Sequence, residues 1–336
     1  MNKIHCVKKP FRLWVKRIAF LIFPLLLTGC GSFSPSQDPV LALEGVHTFA
    51  TTALSFSPDD TRLASAGWRG EIKIWSIPDG KLLTSLSGHT VPVWGLAWAG
   101  DDTLISAAED GRLLVWDLKQ RAIIAYADEL SEVVAMDYSA ETNRIYTLHK
   151  NGRLRAFEYP SLKVVATRLQ ADAEGLALAL SKDGSHVAAS FDGRRVVLLD
   201  GDLTNIRELE RPPRDITSMR FAPDGQQLAG GAWFDIHYWD VRSGVLRVQK
   251  SGHFGQIASL DYTPDYRIVT LGRNTDAQLL LSDSRTGRLE RRLAPHQLCG
   301  WVVRVSHNGR YVASGSEDES VRVFDLHAPY LPTLAK

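Results

Sequence analysis

One short motif recurs along almost the whole chain, and a repeat of fixed period restricts the fold more than any single residue does. Phe56-Ser57-Pro58-Asp59 returns as Trp98-Ala99-Gly100-Asp101, Tyr138-Ser139-Ala140-Glu141 and Leu180-Ser181-Lys182-Asp183. It continues as Phe221-Ala222-Pro223-Asp224, Tyr262-Thr263-Pro264-Asp265 and Val305-Ser306-His307-Asn308. The acidic or amide position advances by 42, 40, 42, 41, 41 and 43 residues. A second marker follows each first one after 15 to 17 residues, an apolar run closed by an aromatic or its substitute. These runs end at Trp75, Trp116, Phe157, Leu199, Trp239, Ser282 and Phe324. Short alternating runs read as strands. The Pro-Asp, Asp-Gly and Asn-Gly pairs between them read as turns. No segment carries a sustained helical period, so the repeat predicts an all-β chain.

The pattern resembles WD40 repeats, in which a period of about 40–45 residues accompanies Gly-His and Trp-Asp signatures and four strands per blade. Gly88-His89 and Gly252-His253 match the first signature, and Trp116-Asp117 and Trp239-Asp240 the second, with Phe324-Asp325 close to it. The resemblance covers about residues 39–334 and implies a seven-bladed β-propeller. In the best copy, blade 2, it places His89, Ser106, Asp110 and Trp116 in the structural hydrogen-bond tetrad of the family. Blade 7 keeps His296, Ser314 and Asp318 with Phe324, whereas blades 3, 4 and 5 depart further and blade 5 lacks the histidine. The last repeat stops after its third strand, Val321 to Leu326. Val40 to Glu44 reads as a lone strand ahead of the first repeat. It is expected to complete blade 7, so that an N-terminal strand closes the ring and protects its edges.

The start of the chain has a different composition. Residues 1–29 hold six basic residues and no acid, and Ile18 to Leu27 is an unbroken apolar run of 10. That run is half the length a spanning helix needs, and Pro24 interrupts it. Basic, apolar and small-residue regions in this order make an export signal. Leu27-Thr28-Gly29-Cys30 resembles the lipobox of bacterial lipoproteins. The resemblance implies cleavage before Cys30 and lipidation of that cysteine, with palmitate among the expected acyl chains. Gly31, rather than Asp, follows the cysteine. In a Gram-negative source this implies the outer membrane, facing the periplasm. The expected organisation is therefore signal 1–29, lipidated cysteine and flexible tether 30–38, and propeller 39–336. Eight tether residues, 31–38, reach about 28 Å at most.

Without the signal, 33 Lys and Arg face 38 Asp and Glu, a net of −5. That balance gives no electrostatic reason to bind nucleic acid. The ten histidines form no His-x-x-x-His or Cys/His cluster, so no metal is implied. No haem, P-loop or nucleophile-elbow motif is present, and no cofactor is implied. Cys299 is expected to be a small buried hydrophobe, with a reactive or intermolecularly paired thiol as the alternative.

Tryptophan placement carries more information. Trp94 and Trp301 each lie four residues before the first marker, at the start of an innermost strand. Trp68 and Trp233 lie in turns between second and third strands. In WD40 proteins both places open on the face around the central channel. Tryptophan is enriched at binding hot spots, although such rings equally suit packing between blades. Trp75, Trp116 and Trp239 read as core. The leading expectation is a non-catalytic, monomeric, membrane-tethered scaffold whose partner is a periplasmic or outer-membrane protein. The alternative is an enzyme or small-ligand binder using Glu109, Lys150, Asp192 and Glu317 at the channel mouth.

Overall fold

In the computed structural model, which describes residues 36–128, 131–170, 172–274 and 276–329, strand and turn alternate throughout. There is no helix among the described residues. Seven sheets are stacked outward around a common axis, each with four antiparallel strands, to which one sheet adds a fifth, parallel strand. Blade 1 runs Thr51–Phe56, Arg62–Gly67, Ile72–Ser76 and Leu82–Leu86. The first marker thus closes the innermost strand and the second closes the third strand. The other innermost strands are Val93–Trp98, Val133–Ser139, Gly175–Leu180, Ser218–Phe221, Gln256–Tyr262 and Gly300–Val305. The export signal and Cys30 lie outside the described residues.

The core is divided into wedges. One apolar cluster fills each space between consecutive blades. Ile72 and Ile74 of blade 1 meet Leu104 and Trp116 of blade 2. Ile105 and Val115 on the other face of blade 2 meet Ile145 and Phe157 of blade 3. Both faces of a blade are therefore apolar, which is why the third strands read as nearly continuous hydrophobic runs. Wedges widen outward, and large rings fill them: Trp116 is 2% exposed, and Trp239, Phe157 and Phe324 are 0% exposed. Burying a ring of that size removes roughly 150–250 Å² from water, on the order of 4–6 kcal/mol of transfer free energy.

The tetrad of blade 2 ties this wedge to the loop above it. Ser106 Oγ accepts from Trp116 Nε1 at 2.8 Å and bonds His89 Nε2 at 2.8 Å, while Asp110 stands 3.5 Å from His89 Nδ1. A Cβ on Gly88 would lie 2.6 Å from the Trp116 ring, so glycine precedes the histidine. Blade 1 repeats the network through His47, Ser65 and Trp75, blade 6 through His253, Thr270 and Asp276. In blade 7, His296 joins Ser314 at 2.8 Å and Asp318 at 3.2 Å. Burial raises the Asp318 carboxyl, and the His296 hydrogen bond and charge outweigh it, holding the group well below its usual range. Blade 5, without the histidine, is rewired: Trp239 Nε1 donates to the Glu210 carbonyl at 2.8 Å, and Gly230 stands where the serine would.

Closure uses the N-terminal segment. Leu41–Leu43 pairs antiparallel with Val321–Asp325, with Leu41 opposite Val323 and Leu43 opposite Val321. Leu41 and Leu43 pack into the wedge of Trp75, Ile77 and Val323. The tether is shorter than the sequence suggested. Ser36–Gln37 adds a fifth strand to blade 6, parallel to Leu289–Leu293. Gln37 Nε2 also donates to the Asp325 carbonyl of blade 7 at 2.7 Å. Ser and Gln carry no strand signal. They pair because the strand docked just after them holds their backbone beside an open sheet edge. Cys299 is buried as expected, at 4% exposure, but it is disulfide-bonded rather than free. Cys6 and Cys30 both lie outside the described residues.

Two measurements test this architecture. Deleting residues 39–45 removes the closing strand and opens two sheet edges. The melting temperature should fall by at least about 10 °C, and an unchanged melt would refute the closure. Burial, with the Lys73 charge, lowers His47 to about 3, and burial lowers His237 to about 4. Below pH 6.5 the unfolded chain binds protons that these folded imidazoles refuse. Stability is thus full above pH 6.5 and falls as pH drops toward about 4. Urea unfolding at pH 5 should show a loss of about 2 kcal/mol per histidine relative to pH 7. His47→Gln should remove its share, and identical stabilities at the two pH values would contradict the assignment.

Candidate functional site at the channel mouth

Six of the seven innermost strands carry a bulge at the same place, one residue after they begin or nearly so. The unpaired residues are Thr52, Trp94, Val134, Leu176, Ala258 and Trp301. A bulge frees one residue from the alternation and re-aims its side chain. All six line a central cavity of about 510 Å³, and Thr217 supplies the same level in blade 5. The mouth is therefore built from one position of the repeat, four residues before the first marker.

Three of the four tryptophans singled out by sequence meet there. Trp94 and Trp301 come from bulges, and Trp68 reaches in from the turn after Arg62–Gly67. Ring centroids are 5.9 Å apart for Trp68 and Trp94, 5.6 Å for Trp68 and Trp301, and 5.5 Å for Trp94 and Trp301. All three rings are half-buried. The Arg273 guanidinium lies 3.6 Å from the Trp301 ring centroid and 3.5 Å from Glu317. The Trp301 indole N–H is buried without an acceptor among the described residues. Trp233 is placed elsewhere: it is 38% exposed and packs on Phe234 at 5.8 Å, because the blade 5 turn lies further round the ring.

The opposite side of the mouth is acidic. Glu109 and Lys150, expected there, are joined by Glu132 and Glu174, which the sequence reading missed. Lys150 Nζ lies 2.7 Å from Glu132, and that bond, with the nearby Glu174 and Glu109 charges, raises the ammonium. Asp192 lies just outside, its carboxylate accepting from the Glu174 N–H at 2.9 Å. Glu317 stands apart, paired with Arg273 on the tryptophan side. A signal for the missed pair exists. The turn residues Lys150 and Asp192 donate backbone N–H bonds to Glu132 and Glu174, each six residues before a first marker. Among the described residues no group of three or more His, Cys, Asp and Glu is arranged to hold a metal.

Core and mouth tryptophans should differ on truncation. Trp116→Ala should cost about 3–5 kcal/mol. Trp68→Ala should cost about 1–2 kcal/mol, since its ring is half-exposed, while shifting the emission of its two neighbours. Equal losses on urea unfolding would make the mouth rings packing elements.

A family model described as WD domain, G-beta repeat (WD40) matches residues 39–76, 80–117, 204–240 and 287–325. Each match begins on one blade's outer strand, or on its approach, and runs through three strands of the next. Periodic tryptophan protein 2 of Arabidopsis thaliana is 24% identical over 63% of this chain and 24% of its own length. Transducin beta-like protein 3 of Bos taurus is 22% identical over 84% of this chain and 38% of its own. Serine-threonine kinase receptor-associated protein of Gallus gallus is 24% identical over 89% of this chain and 81% of its own. The chain thus spans well under half the length of the first two. The WD40 model thus matches four segments of this chain, each spanning a blade boundary, and the structure arranges the described residues as a seven-bladed β-propeller.

Proposed function

We propose that this protein is a membrane-anchored scaffold of the cell envelope that holds a periplasmic or outer-membrane protein at the channel mouth. The observation that carries this reading is the convergence of Trp68, Trp94 and Trp301 from three blades. Half-buried tryptophans grouped on a stiff frame are what binding hot spots are made of. Propellers of WD40 repeats are typical of protein–protein interaction scaffolds. One relative is named for its association with a serine-threonine kinase receptor. The reading assigns no catalysis and no cofactor to the chain.

Anchoring follows from the lipobox resemblance at Leu27-Thr28-Gly29-Cys30. Residues 1–29 are removed as a signal, Cys30 is acylated, and the protein sits on the outer membrane facing the periplasm. Because Ser36 is already paired to blade 6, only residues 31–35 are left as the tether. Six residue steps span about 20 Å, so blade 6 rides close to the lipid.

A photo-crosslinking residue at position 94 or 301, in intact cells, tests both parts. The expected result is a discrete protein adduct that Trp68→Ala abolishes, in a membrane fraction whose intact mass shows an acylated Cys30. Removal of residues 1–29 and a thioether on Cys30 leave Cys299 no disulfide partner within its own chain, so an intact mass showing Cys30 unacylated and joined to Cys299 would overturn the anchor. Absence of protein adducts in correctly acylated protein would overturn the scaffold. The 510 Å³ cavity and its Glu–Lys rim would then favour a small ligand.

A further inference from the structure

Below the tryptophans the cavity becomes a shaft with a charged floor. Val134, Met136 and Leu176 give its walls apolar patches between polar residues such as Thr52 and Thr217. Three residues further along the innermost strands, roughly 10 Å deeper, four blades present charge: Asp137, Arg220, Asp261 and Arg304. Arg220 and Arg304 also line the upper cavity, so they face the ligand side of this belt.

The belt is balanced in number but not in pairing. Asp261 lies 3.7 Å from Arg220 Nε, and its two oxygens already accept the N–H groups of Tyr262 at 3.0 Å and Val305 at 2.9 Å. Asp137 accepts the N–H of Tyr138 at 2.9 Å. Arg304 Nη1 donates to the Val303 carbonyl at 2.7 Å and reaches Ser259 Oγ at 3.4 Å. Arg304 makes no ion pair among the described residues. Burial, with the Arg220 charge, pulls its guanidinium down to about 9. Arg304 is half-exposed where it lines the cavity, so an anion brought in by a ligand can reach its guanidinium. Two guanidinium forks converging on one cavity suit a carboxylate, which each can grip through parallel N–H bonds.

We propose that the shaft binds a chain-terminal carboxylate: the C-terminus of a partner protein passes the tryptophans, lays its last apolar side chains on the walls and seats its carboxylate at Arg220 and Arg304. The inference deepens the scaffold reading and rests on it. Its depth, roughly 10 Å, accommodates three extended residues. The rim above, where Glu109, Glu132 and Glu174 outnumber Lys150, disfavours a ligand that is anionic along its length. It favours a basic residue about four places before the end.

The test is peptide binding to the full chain in detergent, read by the emission of the mouth tryptophans. The probes are C-terminal peptides ending in three apolar residues behind one lysine, each made as free acid and as amide, with inorganic phosphate and acetate as competitors. The free acids should bind at least tenfold more tightly than the amides, and acetate should weaken them. Arg304→Gln should erase the difference between acid and amide, with Arg220→Gln as the second variant should the first fail to fold. Equal affinity for acid and amide in the unaltered protein would overturn the proposal, as would a preference for phosphate over every peptide. A crosslinked partner whose adduct maps far from its C-terminus would also overturn it while leaving the scaffold reading intact.

Discussion

Everything in this molecule depends on the pairing of Leu41–Leu43 with Val321–Asp325. A blade has no private core: each buries its two faces against two neighbours. In an open row of such blades, the first and last would expose a full apolar face and an unpaired edge. The N-terminal strand removes both defects at once, filling the outer edge of blade 7 and packing Leu41 and Leu43 against blade 1 residues. Ser36–Gln37 extends the same clasp over blade 6, so eight residues fasten two blades. If the lipid anchor precedes this segment, any pull on the tether acts directly on the clasp.

Within each innermost strand the jobs are separated by position. The first-marker residue, such as Phe56 at 3% exposure, belongs to a wedge between blades. The residue before it faces the channel floor, and the bulge residue faces the mouth. Function can therefore vary at two positions per blade without touching the wedges. Blades 7, 1 and 2 place tryptophan at the mouth; blades 2, 3 and 4 set carboxylates opposite; blades 3, 5, 6 and 7 charge the floor. A repeat fixed by packing thus carries a site with no seven-fold symmetry.

How much of this was legible follows from where the information lies. The two markers are packing residues, and packing imposes the 40–43-residue period, so the all-β class, the number of blades and the closing strand could be read directly. Trp94 and Trp301 were found because they sit at a fixed offset from a marker. The bulge that aims them depends on backbone pairing and has no residue signature. Glu132 and Glu174 share an offset of six residues before a first marker, but what brings them to the mouth is backbone bonding to the turn residues Lys150 and Asp192, which leaves no signature in residue type. Trp233 shows the limit of the turn rule: the same turn in another blade points its ring at Phe234 instead. Ser36–Gln37 was read as tether because nothing in Ser-Gln marks a strand, and only the neighbouring edge makes it one.

Hydrogen exchange at the seam tests the central claim most directly. The Val40 amide donates to the Val323 carbonyl at 2.8 Å, and the Val46 amide donates to the Glu319 carbonyl at 2.8 Å. If the clasp holds the ring, peptides covering 40–46 and 321–325 exchange only with global unfolding, as slowly as the wedge strands. Exchange of those amides at the rate of an unstructured chain, with the other blades still protected, would contradict the account.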